Sequence, residues 1–186
     1  MFEYISKNMK KYILITLMLA ATVAFAQVKQ TVTRSSVKYQ IKNMGINTDG
    51  VFGEVAADIR FDDAHLNTSS IDASIDAASI NSENNMRDNH LKSNDYFDVQ
   101  KYPKITMKSV SFKRKSAGNY TGVFNVTIKD KTKSIEVPFT YTEKGEAAVF
   151  KGSFKINRQD FGVGGKSLML SNEATITIEV ETNKIP

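Results

Sequence analysis

From Val37 onward the chain places an apolar side chain at every second position through most of its length, and this period decides what it can fold into. Val37, Tyr39 and Ile41 alternate with Lys38, Gln40 and Lys42, and Val55, Ala57, Ile59 and Phe61 alternate with Ala56, Asp58 and Arg60. The same rhythm runs through residues 71–75, 120–128, 135–141, 148–156 and 174–180. An extended chain sends successive side chains to opposite faces, so each segment reads as a strand with one apolar and one polar face. An eighth strand begins at Ile105 and Met107 and changes parity before Val110 and Phe112, where a β-bulge is expected.

Turn-forming residues separate most of these segments. Asn47-Thr48-Asp49-Gly50, Ser116-Ala117-Gly118-Asn119 and Glu143-Lys144-Gly145-Glu146 have the composition of hairpin connections. Eight antiparallel strands with one wet face suit a closed barrel or a two-sheet sandwich. Residues 79–102 break the pattern with a polar, helix-compatible stretch, in which Ser82 is the expected N-cap. Met86, Leu91, Tyr96 and Phe97 are placed to pin this excursion to the barrel. A connection of that length either covers a barrel mouth or is a packing excursion.

Alternation alone does not say which face is inside, since an outer-membrane barrel alternates too. Most of the apolar segments are shorter than the ~9–11 residues of a spanning strand. No aromatic girdle brackets them, and the apolar face includes Ala57, Ala73, Gly122 and Gly152. These features favour an apolar interior and a wetted exterior.

The N-terminus reads as a leader. Lys7, Lys10 and Lys11 precede an uncharged run from Tyr12 to Phe25, which ends in Ala24-Phe25-Ala26, an A-x-A cleavage site. The run is short against the ~20 residues that span a bilayer. Residues 1–26 are therefore expected to be a signal peptide cleaved after Ala26. The remaining domain, 27–186, would be periplasmic or secreted and not membrane-spanning. Removing a segment of net +2 from a chain of net +5 leaves +3, a weak argument for nucleic acid, and none is expected as a partner. With no cysteine, burial alone must hold the fold in an oxidising compartment.

The chain offers little to a catalyst. There are two histidines. His65 follows Asp62-Asp63-Ala64 in what reads as a turn, and His90 has no evident nucleophile and carboxylate partners. Gly162-Val163-Gly164-Gly165 lacks the Lys-Ser/Thr of a phosphate loop, and no motif of a hydrolase or metalloprotease is present. No enzyme activity, metal or cofactor is expected.

Four stretches then carry a family resemblance. Gly50-x-Phe52 leading to Ile59-x-Phe61-Asp62 is one. Arg87-Asp88-Asn89-His90-Leu91-Lys92-Ser93-Asn94-Asp95-Tyr96-Phe97-Asp98, with Lys101-Tyr102-Pro103-Lys104-Ile105-Thr106 after it, is the second. The hairpin from Gly122 to Val137 and the run Ile156-Asn157-Arg158-Gln159-Asp160-Phe161-Gly162 complete the set. In this order, over nearly all of residues 35–181, they resemble the motifs of YceI-like proteins.

The resemblance implies an all-β fold: an eight-stranded antiparallel lipocalin-like β-barrel with a short helical excursion between strands 3 and 4. It also implies an elongated apolar cavity for a polyisoprenoid or similar amphipathic lipid, in a carrier, storage or stress-related role. The lining candidates are Tyr39, Ile41, Val55, Ile59, Ile75, Met107, Phe124, Phe139, Phe150, Phe154 and Ile178, with Arg87 and Arg158 as candidates for a head group. Arg158 is equally suited to a structural role against Asp160 or a cluster of carbonyls. The chain departs from the resemblance at Ser35-Ser36 and Asn43, where family members often carry histidine, and at Asp130, where a glycine is usual. The expected partner is an isoprenoid or fatty-acid-like lipid, and a homodimer is left open. The alternative is a structural or interaction module whose barrel core is filled by its phenylalanines.

Overall fold

The computed structural model describes residues 28–185, so the expected leader and its expected cleavage point lie outside the described residues. The elements are β1 (Lys29–Asn43), β2 (Ile46–Phe52), β3 (Ala56–Arg60), β4 (Ser70–Asp76), a 3-10 turn (Ala77–Ser79) and helix α1 (Asn85–Lys92). Then come β5 (Lys104–Ser116), β6 (Asn119–Ile128), β7 (Lys131–Lys144), β8 (Ala147–Asn157), a second 3-10 turn (Arg158–Phe161) and β9 (Leu170–Lys184). Each strand pairs antiparallel with the next from β3 onward, and β9 returns along β1 to close the sheet. Closure leaves no long free edge, which is how a sheet this size avoids edge-to-edge association.

Eight strand positions circle the barrel, and one is divided. β2 and β3 keep a single register against β1, with Lys29 opposite Arg60 and Val37 opposite Phe52. Between them the chain lifts away, and the Val55 N–H donates instead to Ser35 Oγ at 2.9 Å. The segment Asn47-Thr48-Asp49-Gly50 is therefore strand and not turn. The turn is the pair Met44-Gly45, both at positive φ (51° and 80°), the conformation that matches strand twist in two-residue hairpins. The expected hairpins at 116–119 and 143–146 are present. The bulge in β5 falls between Ser109 and Ser111, and it turns Val110 outward instead of onto the apolar face.

Six strands run 10–15 residues, longer than their apolar runs suggested, so strand length does not separate this barrel from a membrane-spanning one. Burial does: Val37, Ile59, Phe124, Phe139, Phe150 and Phe154 are buried inside, while Lys38, Lys42, Lys113 and Lys151 lie on the wet face.

One end is sealed by aromatic rings. Phe61, at the end of β3, meets Phe112, Tyr120, Phe139, Tyr141 and Phe150 at centroid distances of 4.8–5.8 Å. Beside it Gln30 Nε2 donates to the Phe61 carbonyl at 3.0 Å, and Thr182 Oγ1 donates to Gln30 Oε1 at 2.6 Å, so the buried polar groups there are satisfied. At the outer rim the Tyr141 hydroxyl and Lys184 Nζ both donate to Glu143 at 2.6 Å. The two bonds hold the Glu143 carboxyl below its ordinary value, while burial and the carboxylate hold the tyrosine well above its own. A depressed carboxyl stabilises the fold above the ordinary glutamate value of about 4.3 and loses that contribution as pH falls through the folded value. Glu143→Gln is accordingly expected to flatten the acid limb of the stability–pH curve below about pH 4.3, read by urea unfolding.

Candidate binding site

Beyond the ring cluster the barrel is hollow. A chamber of about 420 Å³ opens toward α1, and a second of about 120 Å³ lies between it and the aromatic seal. Val37, Ile75, Ile105, Met107 and Ile178 border both, so the two are consecutive parts of one apolar space. Their combined size falls in the ~300–1,000 Å³ range of small-molecule sites.

The sequence candidates all reach this space. Tyr39, Ile41, Phe154, Arg87 and Arg158 line the larger chamber, while Val55, Ile59, Phe124, Phe139 and Phe150 line the smaller. Ile75, Met107 and Ile178 line both. The phenylalanines do not meet across the whole barrel: Phe139 and Phe150 join the seal, and Phe154 stands apart in the wider chamber.

The wider end is covered by the excursion after β4. Asn84, not Ser82, caps α1, its side chain accepting from the Arg87 N–H at 3.0 Å. Leu91, Tyr96 and Phe97 line the chamber, and His90 packs edge-on against Tyr96 at 4.8 Å. Met86 does not pin the helix; it is exposed. Lys129, at a φ of 58° in the tight β6–β7 turn beside Asp130, reaches the carbonyls of Asn94 and Gly162 at 3.3 and 3.2 Å and fastens the excursion to the barrel.

Ser82 has a different task. It is buried, and its N–H and hydroxyl donate to Asp88 Oδ1 at 2.9 and 2.5 Å. Arg87 Nε and Nη2 donate to Ser82 Oγ and its carbonyl at 2.7 and 2.6 Å. These bonds hold the guanidinium at the chamber wall and use two of its five N–H groups, leaving three without a protein acceptor among the described residues. Close by, the Tyr39 ring lies over Gly50, where any Cβ would collide with it. Its hydroxyl is buried without a hydrogen-bond partner among the described residues. Burial raises the Tyr39 pKa, the Arg87 cation opposes, the Asp88 charge adds, and the already engaged Ser82 hydroxyl lowers it in smaller part.

Arg158 is fully engaged. It is 4% exposed and donates from Nε to Ser171 O, from Nη1 to Val163 O and Gly165 O, and from Nη2 to Leu170 O and Asn172 Oδ1, at 2.9–3.3 Å. Its partners are the carbonyl cluster and not Asp160. It ties the 163–169 loop to the start of β9, and Val163, Ser167, Met169 and Leu170 there form part of the wall. Sequence reasoning missed that wall because a Gly/Ser-rich loop carries no period. It missed β2 because the inward positions there are Thr48, Gly50 and Phe52, which reads as a turn. Of the positions that depart from the resemblance, Ser35 bonds the backbone of Val55 and Asn43 borders the chamber.

His65 Nδ1 lies 2.8 Å from Asp62 Oδ2 in the 62–69 loop, but no group of three His, Asp or Glu gathers among the described residues. Among those residues no helix is long and apolar enough to cross a membrane.

A closed antiparallel barrel with a sealed end, an apolar hollow and a covered mouth defines a lipocalin-like barrel. The chain belongs to the YceI-like family: the YceI-like domain matches residues 28–182. A UPF0312 protein of Pseudomonas savastanoi pv. phaseolicola is 31% identical over 138 residues, 69% of this chain and 71% of its own. Burkholderia cenocepacia BcnA superposes with a TM-score of 0.76 at 28% identity, covering 79% of this chain and 95% of BcnA. A polyisoprenoid binding domain from Saccharophagus degradans, implicated in plant cell wall breakdown, superposes with a TM-score of 0.68 at 10% identity, over 86% of this chain and 99% of the domain, and so shares the fold.

Proposed function

We propose that this protein binds an isoprenoid or a similar amphipathic lipid without turning it over, the tail in the two chambers and the polar head beside Arg87 and Tyr39. The observation that carries the reading is the pairing of an apolar hollow with three unused Arg87 N–H groups and an unpartnered Tyr39 hydroxyl at its wider end. Of these groups the Tyr39 hydroxyl is buried without a partner, which is costly, and a ligand oxygen held by the half-buried Arg87 guanidinium would satisfy it. The tail contributes about 0.8 kcal/mol per buried CH₂ before ordering costs. The polyisoprenoid-binding domain of the same fold supports this ligand class, and the basic, apolar leader supports a place of action outside the cytoplasm.

Arg158 is the weaker head-group candidate, because its five donors are already used. Titration with a fluorescent polyprenyl phosphate tests the assignment. Arg87→Met is expected to weaken binding about 10- to 100-fold, the worth of a charged hydrogen bond. Tyr39→Phe should weaken it less and leave thermal stability unchanged or raised, because it deletes an unsatisfied buried hydroxyl. Equal affinity in wild type and Arg87→Met would remove Arg87 from the site.

A further inference from the structure

Five large apolar side chains are more than 60% exposed among the described residues: Met44, Ile46, Met86, Leu168 and Met169, at 62–108%. None lies at the aromatic-sealed end. Met44 and Ile46 belong to the β1–β2 hairpin, Leu168 and Met169 to the loop before β9, and Met86 to α1, the helix over the chamber. The first two loops are joined, since the Met44 N–H donates to the Met169 carbonyl at 2.7 Å. Met169 is both exposed and part of the chamber wall, so it links the exposed rim to the hollow. Clustered exposed apolar groups of this kind mark interaction sites.

The charge of the two joined loops, not that of the acidic excursion beside them, points to the partner. Residues 42–48 and 164–170 contain Lys42 and Lys166 and neither Asp nor Glu, and both lysines are exposed. Apolar side chains flanked by cations are what an anionic membrane interface binds, the first by burial and the second by attraction to head groups. A second copy of this chain docked through the same loops would bring Lys42 and Lys166 against their own copies. We propose that the open end of the barrel docks on an anionic lipid bilayer through Met44, Ile46, Leu168 and Met169, placing the chamber mouth against the membrane. Transfer of a ligand between bilayer and chamber rests on the lipid-binding reading above; the docking itself does not.

The chain has no cysteine, so Leu168→Cys in the full-length protein carries one environment-sensitive fluorophore, and Ala117→Cys, on the β5–β6 hairpin at the sealed end, carries the same probe as a control. With vesicles of mixed phosphatidylcholine and phosphatidylglycerol, emission at position 168 is expected to rise several-fold and shift to the blue while position 117 stays silent. Lys42→Gln with Lys166→Gln should reduce the response, as should vesicles of phosphatidylcholine alone. β1 begins at the sealed end, so attachment through residues preceding it would bring position 117 to the bilayer instead. Silence at 168 overturns the proposal, as does an equal change at 117. A change at 168 that needs no vesicles and grows with protein concentration also overturns it and assigns the rim to a second copy. Uptake of the polyprenyl phosphate with a silent 168 removes docking alone, and docking without uptake removes the lipid-binding reading alone.

Discussion

Phe61→Ala is expected to lower the unfolding free energy by about 3–5 kcal/mol, the cost of emptying a buried phenylalanine site. The ring is 2% exposed and central to the seal, touching five other aromatic rings edge-on or tilted. Its neighbours sit on β5, β6, β7 and β8, so collapse around the hole would have to move four paired strands at once. That resistance places the cost toward the upper end of the range, since residual cavity volume sets the penalty. Urea unfolding measures it. Phe61→Leu, which keeps most of the volume, should recover much of the loss. A change below about 1 kcal/mol for the alanine variant would mean that the seal is not a rigid packing unit.

The second large effect is expected at Arg158. Arg158→Leu removes five donors together and strands the Val163 carbonyl, whose residue is buried. Each hydrogen bond from a charged group is worth about 1.5–3 kcal/mol, but carbonyls that regain water recover part of it. A net loss of about 3 kcal/mol or more is expected. Arg158→Lys should recover only a fraction, because an ammonium cannot reproduce a planar fork that serves carbonyls on several sides. The loop supplies a local readout: Lys166 is exposed within it, and tryptic cleavage there should accelerate in Arg158→Leu before global unfolding does. Lipid affinity should fall too, since the loop forms part of the chamber wall.

These two residues also show what the sequence makes legible. Phe61 ends a clean alternating run, and its inward position follows from period two alone. Arg158 sits in a motif whose resemblance predicts importance, but not that the carbonyls of a loop 5–14 residues further along would be its partners. The strands from β4 to β9 could be read because most of their inward positions are apolar, Ala73, Gly122 and Gly152 being small among larger ones. β2 could not, because Gly50 leaves its inward space to the ring of Tyr39 from the opposite strand. The N-terminal half of β1 was hidden for a related reason: the buried inward residue there is Gln30, which a hydropathy pattern scores as exposed. The lining aliphatics and phenylalanines were legible as a set, because any inward residue of a hollow barrel lines it. The polar end was less so, since the Ser82–Asp88–Arg87 arrangement depends on where α1 begins, and its cap lies two residues beyond the expected one.

Whether the hollow holds a lipid is read by native mass spectrometry of the protein purified without detergent. A population heavier than the bare chain by the mass of one amphipathic lipid is expected, recoverable by organic extraction and diminished in Arg87→Met. A protein that flies only at its bare mass, and that also takes up neither a polyprenyl phosphate nor a fatty acid when these are added, would contradict it.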